Sequence, residues 1–258
     1  MNLLEMHDRI DAYLDRPRSP RYTRAIRDKA LNTAIDQFVK DRYDNIKRDP
    51  RGYSFEIVER VREELYTIVE TDYPIAIVGN TAPTPPGFLY HIITYINTSA
   101  GRVLSVLKSY VENDLTANSF TKPKPSQPIH RRTSTGFKFE VGYPALFNGS
   151  GEMTYVKNPD KAFWNETPIN PGPAALTIGA TYYVVSGAPI HAGTAYSPGQ
   201  VFTAVGTAYT GGVLNRITGS NLPESTHEEL CKIAASIISG SFEDYNKSQN
   251  MNAETQKA

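Results

Sequence analysis

Between Thr167 and Asn215 the chain runs for 49 residues without one Asp, Glu, Lys or Arg. At the chain average of 21% charged residues, such a gap would arise about once in 10^5 windows, which marks a separate compositional unit. Eight of the chain's 18 glycines fall in it, spaced every six or seven residues, with Tyr, Val and Thr between them. That pattern predicts short strands at Thr181 to Val185, Thr194 to Tyr196, Gln200 to Val205 and Thr207 to Tyr209, joined by tight turns. The expectation is one small β module inserted into a larger body.

The charges are concentrated at the other end. Residues 1–72 hold 29 of the 54 ionised side chains. A short amphipathic start (Leu3, Leu4, Ile10, Tyr13, Leu14) stops at Pro17 and Pro20, and Ser19-Pro20 has the form of an N-cap followed by a first-turn proline. Tyr22, Ile26, Ala30, Leu31, Ala34, Ile35, Phe38, Val39, Tyr43 and Ile46 then recur at steps of three and four, predicting a long helix with one buried face. A second helix is expected after Ser54, with Ile57, Val58, Val61, Leu65, Ile68 and Val69 as its stripe and Tyr73-Pro74 as its end, making a helical hairpin. Leu89 to Asn97, Val103 to Leu107, Ile129 to Thr133 and Gly136 to Val141 read as strands, and Lys122 to Pro128 as an extended proline-rich connector. A capping box at Ser225-Thr226-His227-Glu228 opens a closing helix along Leu230, Ile233, Ala234, Ile237, Ile238, Phe242 and Tyr245. The fold class expected is therefore α+β. Residues 1–72 form a helical body, 73–166 an antiparallel β domain with its connector, 167–215 the inserted module, and 216–258 a helix and tail completing the body.

Lys plus Arg and Asp plus Glu both total 27, so the chain has no net charge and lacks the signature of a general polyanion coat. No apolar run approaches membrane-spanning length, and no secretory leader is visible at the start. Phosphate-loop, dinucleotide, nucleophile-elbow, paired-histidine and paired-cysteine motifs are missing, so no catalytic residue, metal or cofactor is expected. Cys231, the single cysteine, sits among apolar residues and reads as a buried inert thiol. Arg18, Arg21, Arg24 and Arg27 recur every three residues and are candidates for an intersubunit contact or for phosphates in a channel. Tyr182, Tyr183, Tyr196 and Tyr209 suit packing or, in an alternative reading, sugar stacking on a virion-surface recognition module.

The run from Arg27 to Tyr43, followed by Gly52-Tyr53-Ser54-Phe55-Glu56, resembles the N-terminal helices of ring proteins from the neck and tail of crAss-like and related short-tailed phages. Asn118 to Pro123 is similar to their connector, and Leu222 to Ala235 to their closing helix. The resemblance implies a non-enzymatic virion structural protein, made in the bacterial cytoplasm and assembled as a cyclic homo-oligomer, with twelve copies suggested. It further implies that the ring joins portal to neighbouring tail rings and seals the DNA channel, with non-specific contact to packaged DNA and no membrane.

Overall fold

A computed structural model of the chain describes residues 1–14, 22–48, 59–107, 123–142, 146–164, 169 and 175–240. Two compact units emerge: Met1–Asp44 with Pro159–Ala258, and Asn45–Asn158. The mixed α+β class is as expected. The boundaries differ from composition, because the second unit recruits residues that carry the helical spacing of the first.

In the first unit, α1 (Leu3–Tyr13) begins at a capping box that sequence reading passed over. Asn2 Oδ1 accepts from the Glu5 backbone at 3.0 Å, and Glu5 Oε2 accepts from the Asn2 backbone at 2.9 Å. Its Leu3, Met6 and Ile10 are buried at helical spacing. Helix α2 (Arg24–Arg48) buries Tyr22 just ahead of it, then Ala30, Leu31, Ala34, Ile35, Phe38, Val39 and Tyr43 of the expected stripe, while Ile26 is exposed and the side chain of Ile46 lies outside the described residues. The closing helix, α4, covers 227–240 and buries Leu230, Cys231, Ala234 and Ile238. The capping box expected at Ser225 does not form: Glu224–Thr226 is a 3-10 turn with no side-chain cap, and Thr226 Oγ1 donates to Pro223 O. Three helices are tied by polar links, most of them buried, as well as by apolar contact. His7 meets Asp28, Arg27 meets Asp11, Arg42 meets Glu229, and the Cys231 thiol faces Met6 O.

The uncharged stretch does fold as β structure, but it does not close on itself. Its main sheet has the order β12-β9-β13-β8, where β9 is Thr181–Ser186, β12 Val201–Thr203, β13 Val213–Thr218 and β8 Phe163–Trp164. Thus β8 lies before the stretch and half of β13 runs past its end. A small hairpin pairs β10 (Ile190–His191) with β11 (Thr194–Ala195). Leu176, Tyr182, Val184, Phe202, Tyr209 and Leu214 make the core. Gly187 and Gly212 take left-handed φ of 77° and 67°, and a Cβ on Gly187 would fall 2.6 Å from Gly212 Cα, so this crossing requires glycine.

In the second unit, α3 (Glu59–Leu65) ends well before the expected stop at Tyr73-Pro74. Residues 69–73, read as its end, instead begin β1 (Val69–Ile77), and Ile57 and Val58 lie outside the described residues. No helical hairpin is established. A seven-stranded sheet follows in the order β1-β7-β3-β4-β5-β6-β2. Its members are β2 (Thr81–Pro83), β3 (Phe88–Thr98), β4 (Gly101–Leu107), β5 (Ile129–Arg132), β6 (Gly136–Glu140) and β7 (Gly149–Lys157). All pairs are antiparallel except β4–β5.

The two ends of that order, β1 and β2, are neighbours in sequence, so the sheet curls into a nearly closed barrel. Gly79 and Asn80 both have left-handed φ, 57° and 68°, as a two-residue hairpin between twisted strands requires. Val78 and Thr81 exchange both backbone bonds across it, and Asn80 O accepts from Phe139 N on β6 at 2.7 Å. Asn80 Oδ1 also accepts from Phe147 N at 2.6 Å. Ile75, Ile77, Phe88, Ile96, Phe137, Phe139, Met153 and Tyr155 fill the interior. Residues 124–127, expected to be extended, form a tight turn in which Gln127 N donates to Lys124 O.

Candidate functional site

Sheet edges invite unwanted pairing, and β8 is the edge of the four-stranded sheet. Side chains of α2 cover it. Asn32 uses its amide as a strand would, Oδ1 accepting from Ala162 N at 2.8 Å and Nδ2 donating to Ala162 O at 2.9 Å. One turn earlier, Asp28 Oδ2 accepts from Trp164 N at 3.1 Å, while Oδ1 faces His7 Nε2 at 2.8 Å. Another turn back, the Arg24 guanidinium lies 4.1 Å above the Trp164 ring. Tyr183 packs on the same indole at 4.9 Å. Residues 24, 28 and 32 are spaced by four, so one face of α2 carries all three groups.

Beside this seam runs a groove of about 640 Å³, lined by α2 from Arg24 to Asp36 and by Lys161 to Trp164. Three cations face it: Arg24, Lys29 and Lys161. Among the described residues no carboxylate comes within ion-pair distance of any of them. Phe163, 53% exposed, adds an aromatic face, and the buried Trp164 indole N–H has no acceptor among the described residues. No acidic residue occupies the first turn of α2, where Thr23 Oγ1 accepts from the Ile26 backbone at 3.4 Å.

The arginines selected from sequence do not act together. Arg18 and Arg21 lie outside the described residues. Arg27 is buried, with Nε and Nη2 each 2.8 Å from Asp11, and joins α1 to α2. Arg24 alone of the four is described at an open surface. Lys161 and Phe163 are too far from α2 in sequence for any local motif to have joined them to it.

Among the tyrosines, Tyr182 and Tyr209 are buried and present no face to a sugar. Tyr183 is occupied by Trp164, and Tyr196 stacks on Phe202 at 4.4 Å. Of the two readings the sequence offers for these tyrosines, Tyr182 and Tyr209 follow packing, and the alternation of β9 turns Tyr182 inward.

Two other groups have nucleophilic chemistry. Cys231 is buried, and desolvation, with the Glu228 carboxylate adding to it, pushes its thiol up to about 12. At pH 8 that leaves roughly 10^3-fold less thiolate than in an ordinary cysteine. The folded chain should therefore resist a thiol-reactive dye over hours and label fully in denaturant; rapid stoichiometric labelling of the native protein would contradict this burial. In the barrel, Ser105 Oγ lies 2.8 Å from His130 Nδ1. Both are buried, and the bond joins β4 to β5 at the short parallel seam. Among the described residues no group of three or more His, Cys, Asp or Glu side chains could hold a metal.

No family model and no curated protein matches the chain.

Proposed function

We propose that the chain is a non-enzymatic structural subunit of a short-tailed phage virion. It assembles into a closed homo-oligomeric ring of the neck or tail that joins portal to tail and seals the DNA channel. The observation that carries an assembly role is the charge-free β module. Strands β9 to β12 hold no ionised side chain, yet their surroundings expose Ile178 (63%), Val205 (71%), Val185 and Ile190. A surface without charge and with exposed aliphatics matches the buried centre of a protein interface, where charged residues are depleted. The closed ring and its place in a virion come from the resemblance of the helices. In a ring each copy offers two different surfaces, so the module would meet another part of its neighbour. The sugar-binding alternative is weaker, because Tyr182 and Tyr209 are core residues.

Native mass spectrometry of the full chain, with electron microscopy of the particles, tests the proposal. A single closed multimer is expected. Ile178→Lys with Val205→Lys should convert it largely to monomer while preserving the folded spectrum, because unpaired charges would have to be desolvated at the contact. A chain that stays monomeric at high concentration and under phage-assembly conditions would refute the ring.

A further inference from the structure

We infer that the groove between the first half of α2 and β8 binds a phosphate-bearing aromatic ligand, a nucleotide either free or within a strand. This inference does not depend on the ring. Arg24, Lys29 and Lys161 line one groove and lack carboxylate partners among the described residues. Isolated surface cations need no explanation, but three lining one concavity favour an anion. Phosphate suits them better than a lone carboxylate, having more acceptor oxygens than one arginine can engage.

The wall supplies the second half of the specificity. Phe163 is exposed beside the cations, and a planar base can stack on it, as bases do on aromatic platforms in single-strand binders. The acidic groups facing the groove are consistent with this. Asp28 is engaged on both oxygens, by His7 and by the Trp164 backbone, and holds the wall rather than repelling the ligand. Asp36 has no partner among the described residues and sits seven positions beyond Lys29, about 10 Å along the helix. It keeps phosphate at the Arg24 end and can accept from a ring N–H of the base, such as N3–H of thymine. Asn32 is committed to Ala162 and takes no part.

The chain contains one tryptophan, and Trp164 forms part of this wall, so its emission reports on the groove directly. The full-length protein is titrated at low salt with thymidine monophosphate, a short oligothymidylate, inorganic phosphate and polyglutamate. A saturable change with the nucleotide is expected, reduced at least tenfold by Lys29→Glu with Lys161→Glu. Phe163→Ala should weaken the nucleotide and leave inorganic phosphate unchanged. Preference for the oligomer identifies a strand as the source, and equal affinity per nucleotide identifies the free nucleotide. No response, an equal or stronger response to polyglutamate, or an unchanged affinity in the double lysine variant overturns the proposal. Because Cys231 protection monitors the fold of the same unit, a variant that merely unfolds is recognised and replaced by Arg24→Gln. Failure here leaves the multimer measurement untouched, and the reverse also holds.

Discussion

Replacing Asp11 by alanine is expected to destabilise the helical unit by about 3–5 kcal/mol, the range for removing one partner of a buried ion pair. Arg27 donates to both carboxylate oxygens at 2.8 Å, and the two side chains are only 10% and 8% exposed. Without Asp11 the guanidinium stays between α1 and α2 with its charge unmet. Against a total stability of roughly 5–15 kcal/mol, this change removes a large part. The midpoint of thermal unfolding should drop by roughly 6–20 °C for a chain of this size. Trp164 emission follows the unit that contains both residues. Replacing the pair with apolar residues, Asp11→Leu with Arg27→Met, should recover most of the loss, because the cost lies in the orphaned charge. Arg24→Ala provides the contrast: its guanidinium lies on an aromatic face at the surface, and the change should cost under about 1 kcal/mol. Equal losses in Asp11→Ala and Arg24→Ala would defeat this account.

This contrast shows what three-residue spacing can and cannot reveal. Arg24 and Arg27 look equivalent in the sequence, yet one helical step separates a surface cation from a buried one. The partner that decides the matter, Asp11, lies on another helix. The apolar stripe of α2 was readable because eight of its members share one period and one face. The stripe ending at Val69 misled for the same reason: Leu65, Ile68 and Val69 continue a helical step, but Ile68 belongs to the turn before β1. Pro74 marked that segment as unhelical without marking it as a strand. It is tolerated because β1 stands at the end of the sheet order.

The centre of the barrel was hidden more deeply. Strand β7 contacts both β1 and β3, yet its opening Gly149-Ser150-Gly151 reads as a turn. Gly151 is there because a Cβ would sit 2.4 Å from Tyr95 O on β3. Close approach of two backbones leaves no periodic trace. The groove was equally illegible, since its cations come from α2 and from the segment entering β8, some 130 residues later. What composition did reveal was the β character of the uncharged stretch. Its boundary failed because a sheet recruits edges by hydrogen bonding, which ignores charge content.

Acid should destabilise the barrel unit through His130. The imidazole is buried against Phe137 and Phe139, bonded through Nδ1 to Ser105, and faces His91 at a ring separation of 4.8 Å. Burial first, and the His91 charge second, lower it from 6.5 to about 3. Above pH 6.5 His130 is neutral whether folded or unfolded, and it adds no pH dependence. Between pH 6.5 and about 3 the unfolded chain takes up a proton that the folded chain refuses. Stability therefore falls as pH falls through this window, by up to about 1.4 kcal/mol per unit and roughly 4 kcal/mol in all. Urea unfolding followed by circular dichroism at successive pH values measures the slope. In a chain carrying His130→Leu with Ser105→Ala the slope should flatten by about one proton, since both polar atoms are removed together and no donor is left unmet. The half-buried His91 remains in both chains, so the difference between the two curves isolates His130. Parallel curves would show that the barrel admits a charged imidazole at this position, and would remove the basis for its low proton affinity.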